Sequence, residues 1–157
     1  MQSEQTLRKL VSLEPTKTSK PTSQPEPINT LSPNKALKND IGERISGENV
    51  TVDILDNIVF VTFSAQDMLS TKWTRDEIGS DTLSILHIIK NSSVPFQTVS
   101  VQATFPLQDA FGNVKEGVVF SGSYSADTVN RINFEELVQI FSITDEPAFI
   151  HPDFLGD

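Results

Sequence analysis

The stretch Gln97–Leu137, QTVSVQATFPLQDAFGNVKEGVVFSGSYSADTVNRINFEEL, carries the clearest fold signal in the chain. Val99, Val101, Ala103 and Phe105 alternate with Thr98, Ser100, Gln102 and Thr104. Alternation of period two with β-branched residues marks a half-buried strand. One face is apolar and the other carries hydroxyls and an amide, which predicts a sheet covered on one side only. Pro106 removes a backbone donor, so regular pairing should end there or the strand should lie at an edge. Gln108–Lys115 holds Gly-Asn, a pair tolerant of positive φ, and reads as a turn. The return strand runs through Gly117–Tyr124, where two glycines suggest a bulge or a close backbone approach. Phe111 at the turn tip has two readings: a ring folded back on its own hairpin, or an exposed contact for a partner. Beyond the hairpin, Ser125 is placed to cap a short helix carrying Val129 and Ile132.

Upstream, Thr51–Phe63 (TVDILDNIVFVTF) reads as a second hairpin around Asp56-Asn57. That register puts Val50 opposite Phe63, Val52 opposite Val61 and Ile54 opposite Val59 on one apolar face. Thr51 with Thr62, Asp53 with Phe60 and Leu55 with Ile58 share the other. Between the hairpins, Thr74 and Glu77 match a capping box. It opens a helix of about 17 residues with Ile78, Thr82, Ile85, Leu86 and Ile89 on one face, roughly 25 Å long. Trp73 before it reads as a hydrophobic staple, the rival being a ligand-contacting aromatic. Ser32 and Pro33 suit the start of a first helix with Leu37, Ile41 and Ile45 as its stripe, ended by Gly47. The tail, with Pro147 and Pro152, reads as an extended strap anchored by Phe149, Ile150, Phe154 and Leu155.

The expected fold is α+β, a two-layer sandwich of order α-ββ-α-ββ-α. Its sheet has four mainly antiparallel strands in two hairpins, with helices on one face. Residues 32–157 form this domain. Residues 1–31 read as a linker: Glu14–Asn34 holds five of the nine prolines, among Thr, Ser, Lys and Gln. Such a segment buries too little apolar surface to offset its ordering entropy and extends as a spacer. Within 1–31, Leu7, Leu10 and Val11 share one stripe of a possible short helix.

The net charge of −9 and pI near 4.6 argue against nucleic acid as a partner. With no cysteine there is no disulfide, no thiolate nucleophile and no Cys-ligated metal. No run approaches the roughly 18 apolar residues of a membrane span. No signal peptide is visible at Met1, so the chain is either cytosolic or begins after a targeting segment that was removed. No phosphate-cradling loop or nucleophile elbow occurs, and no cofactor is expected. His87 reads as a solvated helix residue. Asp76 and Asp81, like Glu135 and Glu136, read as helix-surface acids. His151 with Asp145, Glu146 and Asp153 is the one constellation from which a metal site can be imagined.

Asp-Ala-Phe-Gly-Asn at 109–113, Tyr-Ser-Ala-Asp-Thr-Val-Asn-Arg-Ile-Asn-Phe at 124–134 and Phe-Ile-His-Pro-Asp-Phe at 149–154 carry a resemblance. The chain resembles, over about Ser32–Leu155, a domain of unknown function. That domain is found in membrane-tethered or lipid-anchored extracytoplasmic proteins of Gram-positive bacteria. The resemblance implies a small α/β domain held on a polar, proline-rich stalk behind an anchor that this chain does not itself carry. The expected function is a non-catalytic extracytoplasmic interaction module binding a protein or cell-envelope component. Its surface would comprise Phe111, the Thr98, Ser100, Gln102 and Thr104 face, and Trp73. The first alternative is a cytosolic acidic inhibitor or immunity-like protein occupying a basic site on a target. The second is a metal-dependent hydrolase using His151.

Overall fold

Two hairpins and one long helix define the domain, which a computed structural model describes over residues 32–136 and 139–155. The proposed linker and its short helix lie outside the described residues. The elements are α1 (Pro33–Gly42), β1 (Glu48–Leu55), β2 (Ile58–Ser64), α2 (Thr71–Asn91), β3 (Thr98–Gln108), β4 (Val114–Ser125), α3 (Ala126–Arg131) and β5 (Phe149–Ile150). Single 3-10 turns occur at Ile140–Ser142 and Pro152–Phe154.

The first hairpin forms in the expected register, Leu55 opposite Ile58 through Thr51 opposite Thr62. Asp56 and Asn57 both take positive φ, 48° and 63°, the geometry of a tight two-residue turn. A bulge at Asn49–Val50, with Asn49 at φ 52°, shifts the pairing before Thr51. In the second hairpin Val99 pairs with Tyr124 and Ala103 with Phe120. A one-residue irregularity then places Thr104 opposite Val118. This bulge lies between Gly117 and Gly122, and both glycines are close-approach sites. A Cβ on Gly122 would stand 2.8 Å from the Phe120 ring, and one on Gly117 2.7 Å from Leu107.

The sheet has five strands in the order β1-β2-β3-β4-β5, one more than expected, and it is mixed. β2 and β3 run parallel, Ile58 opposite Thr98 through Ser64 opposite Thr104, while the other three neighbouring pairs are antiparallel. Length is the reason. α2 has 21 residues, about 30 Å at 1.5 Å per residue, and carries the chain back over the sheet to the edge from which β2 set out. The fifth strand comes from the strap, where Phe149 and Ile150 pair with Ser121 and Phe120.

Two helix boundaries differ from expectation, the start of α2 and the end of α1, whereas α2 ends at Asn91 as expected. α2 opens at Thr71 because Ser70, not Thr74, is the cap: its hydroxyl accepts the Trp73 N–H at 3.3 Å. Thr74 is instead buried in the first turns, donating to the Ser70 carbonyl and accepting the Met68 N–H. Trp73 is therefore inside the helix and is not a staple residue. α1 ends at Gly42, and Ser32 makes no side-chain cap. α3 is capped by Ser125 as expected.

The core lies between the apolar sheet face and the helices. Val59, Val61, Phe63, Val99, Val101, Ala103 and Tyr124 meet Leu37 and Ile41 of α1, Ile78, Ile85, Leu86 and Ile89 of α2, and Val129 of α3. Of the strap anchors, Phe154 is buried, edge-on to Phe105 at 5.5 Å. Ile150 is half-buried, whereas Phe149 and Leu155 are exposed. The Leu155 carbonyl accepts from Arg75, which ties the tail to α2 by backbone rather than by the leucine side chain.

Candidate docking surface

The helices pack on the apolar side of the sheet, and among the described residues nothing covers the other side. Thr98, Ser100, Gln102 and Thr104 lie there, half-buried by their neighbours. Ser121 and Ser123 of β4 and Thr62 of β2 extend the same rows of polar side chains across the sheet. Phe60, 40 % exposed, and Leu55, 64 % exposed, add apolar surface on the β1–β2 side, and Phe149 does so at the β5 edge. The first-hairpin register already puts Leu55 and Phe60 on this face, an apolar contribution that the expected surface omits.

Beyond Thr104 the second hairpin leaves the sheet. β2 pairing ends at Ser64 opposite Thr104, with one more bond from the Ala65 N–H to the Thr104 carbonyl at 2.8 Å. β3 and β4 continue together, Phe105 opposite Gly117 to Gln108 opposite Val114, as a two-stranded arm. Four further residues at about 3.3 Å each carry it roughly 13 Å past the last β2 pair. Pro106 sits in this unflanked part, so its missing N–H costs no ladder bond. The arm's root carries a polar chain: the Ser64 hydroxyl lies 3.4 Å from the Thr104 hydroxyl and donates to Glu116 at 3.2 Å, and Asn49 donates to it at 3.4 Å.

The arm's turn is held by Asp109. One carboxylate oxygen accepts the Phe111 N–H at 2.8 Å and the Asn113 N–H at 2.9 Å, and the Asn113 side chain donates to both oxygens. These bonds, chiefly the one from the Asn113 side chain, hold the Asp109 carboxyl below its ordinary pKa. Gly112 supplies φ 86°, where a Cβ would be strained. The tip is thus fixed in shape while Phe111 is 90 % exposed and Val114 65 % exposed. The reading in which the ring folds back on its own hairpin is overturned. Trp73, 51 % exposed, belongs to the helix layer on the far side of the sheet and does not join this surface.

The other chemistry-bearing residues have local duties. Asp81 is only 4 % exposed and is not the helix-surface acid expected. Its two oxygens accept the Ser46 and Gly47 N–H groups, each at 2.9 Å, clasping the start of β1 to α2; the Ser46 hydroxyl bonds Glu77 beside it. Burial pushes the Asp81 carboxyl up and outweighs the two N–H groups that pull it down, with Glu77 adding to the rise. Asp145 accepts the Ser125 N–H and both the Ser125 and Thr128 hydroxyls at the start of α3. Desolvation raises its carboxyl, but these bonds together win and lower it. His151 accepts the Asp153 N–H at 3.3 Å in its own turn. No group of three or more His and acidic side chains placed to hold a metal occurs among the described residues. His87 is exposed as expected and stacks on Phe134 at 4.7 Å.

No family model matches the chain, and no curated protein or solved structure matches it.

Proposed function

We propose that this chain is an interaction module that engages a partner protein through the β3–β4 arm and the adjoining open sheet face. The observation that carries this reading is the arm itself. A tip braced by Asp109 and Gly112 presents Phe111 and Val114 to solvent, where neither serves the core. Exposed aromatic residues on a preorganised element bind with little ordering cost. Residues 32–157 carry eight Lys and Arg against eighteen Asp and Glu, a net −10, so the complementary partner surface is basic. The proline-rich stretch and the resemblance to tethered extracytoplasmic domains support a place outside the membrane, held on a stalk. Native fractionation tests that location: recovery of the protein in the soluble cytosolic fraction would refute it.

Site-specific crosslinking tests the docking surface. A photoreactive phenylalanine analogue at 111 should give a discrete, salt-sensitive adduct in native cells. The same analogue at Asn130, exposed on α3 at the opposite end of β4 from the arm, should not. Equal labelling from both positions would remove the arm from the interaction.

A further inference from the structure

We propose that the free edge of β1 is a second binding site, taking an extended, lysine- or arginine-rich segment of a partner protein as a sixth strand. Among the described residues β1 ends the sheet, with β2 as its one partner. In a two-residue hairpin the residues flanking the turn exchange backbone hydrogen bonds and the pairing then alternates. Leu55, Asp53 and Thr51 therefore bond to β2, while Val52 and Ile54 turn their N–H and C=O groups outward. Among the described residues no backbone or side-chain group takes those four. Natural sheets usually blunt such an edge with lysine, proline or a short strand. The bulge at Asn49–Val50 protects only the beginning of this one.

Charge and shape name the occupant. Between Arg44 and Lys72 the chain has no lysine or arginine, and Glu48, Asp53 and Asp56 lie exposed along β1 and its turn. Where the strand begins, a depression of about 700 Å³ opens between β1 and the end of α1, lined by Lys38, Asn39, Glu43, Glu48, Val50 and Thr51. A strand laid along Ile54 and Val52 runs into it. Backbone pairing would supply affinity, and the carboxylates of Glu48, Asp53 and Asp56, which outnumber Lys38 along this edge, would select a basic sequence. A second copy of this chain is disfavoured by its own charge of −10 over residues 32–157.

The test uses the full chain and a seven-residue peptide of alternating lysine and valine. Amide exchange by NMR should slow at least fivefold at Val52 and Ile54 when the peptide saturates, with Thr51, Asp53 and Leu55 already protected. Affinity should fall at least tenfold for a copy N-methylated at alternate amides and for Asp53→Lys. Phe111→Ala should leave it unchanged, which separates this edge from the arm. Equal binding by the methylated peptide or by a glutamate-for-lysine copy would overturn the proposal. So would protection that appears without peptide as protein concentration rises, since that would mark a second copy as the occupant.

Discussion

The two hairpins are built from the same alternation, yet they end in opposite ways. β1–β2 turns in two residues and stays level with the sheet, its inward side under α1. β3–β4 is four residues longer than its β2 neighbour can follow; Phe105 and Leu107 still pack against the core, and its turn projects into solvent. Val99, Val101, Ala103 and Tyr124 at its root are wholly buried, whereas Phe111 at its tip is almost wholly exposed. A single hairpin thus divides its labour along its length: the root stabilises the fold and the tip is free to bind. Each hairpin also ends in a carboxylate clasp, Asp81 buried at the entry to β1 and Asp145 exposed at the exit of β4.

The sharpest break of this comparison is Val101→Asp. An unpaired charge in the central strand at the root should cost several kcal/mol, on the order of the largest single-site effects. Thermal melting should show loss of the cooperative transition. A variant that melted like the wild type would place the root outside the core.

The clasps should differ in sign with pH. Asp81→Asn leaves one of the Ser46 and Gly47 N–H groups without a carboxylate oxygen, at a cost of about 1–3 kcal/mol near pH 7. The folded-state pKa of Asp81 is raised, so its ionised form is penalised in the fold. Wild-type stability should therefore gain on that variant as pH falls from neutral toward the ordinary value of 3.8. Asp145, whose pKa is lowered, behaves the other way: its contribution is present above 3.8 and is lost as pH falls below it. Denaturant titrations of Asp81→Asn and Asp145→Asn between pH 7 and 3 should show these opposite slopes, and parallel slopes would refute the assignment.

The turns give a smaller contrast. Gly112→Ala forces a Cβ into φ 86° and should destabilise by about 1 kcal/mol, read from the denaturation midpoint. Asn57→Gly, at φ 63°, should lie within a few tenths of a kcal/mol of the wild type or above it. Phe111→Ala is likewise small, expected within about 0.5 kcal/mol of wild-type stability while abolishing partner contact at the arm. A marked loss of stability would show that the ring serves the fold.

Local pattern carried much of this. Period-two alternation and the Asp56-Asn57 pair determined both hairpins, the first register and the hydroxyl face of β3, because those depend on neighbours a few residues apart. The tip loop and the Ser125 cap were legible for the same reason. Phe111 stands out in the sequence, but its exposure is not legible there, since a ring's resting place depends on what lies beside the turn. Capping at Thr74 misled because Ser70 offers an equivalent hydroxyl one turn earlier, and burial of Thr74 settled the choice between them. Three features were decided only by tertiary structure: the parallel pairing of β2 with β3, the addition of β5 to β4, and the burial of Asp81 beneath the α1–β1 connection. Each joins segments that sequence periodicity treats as independent. The sequence by itself determined the strands and their faces; which edges met, and which carboxylate lost its water, followed from how a 21-residue crossover helix packed over the sheet.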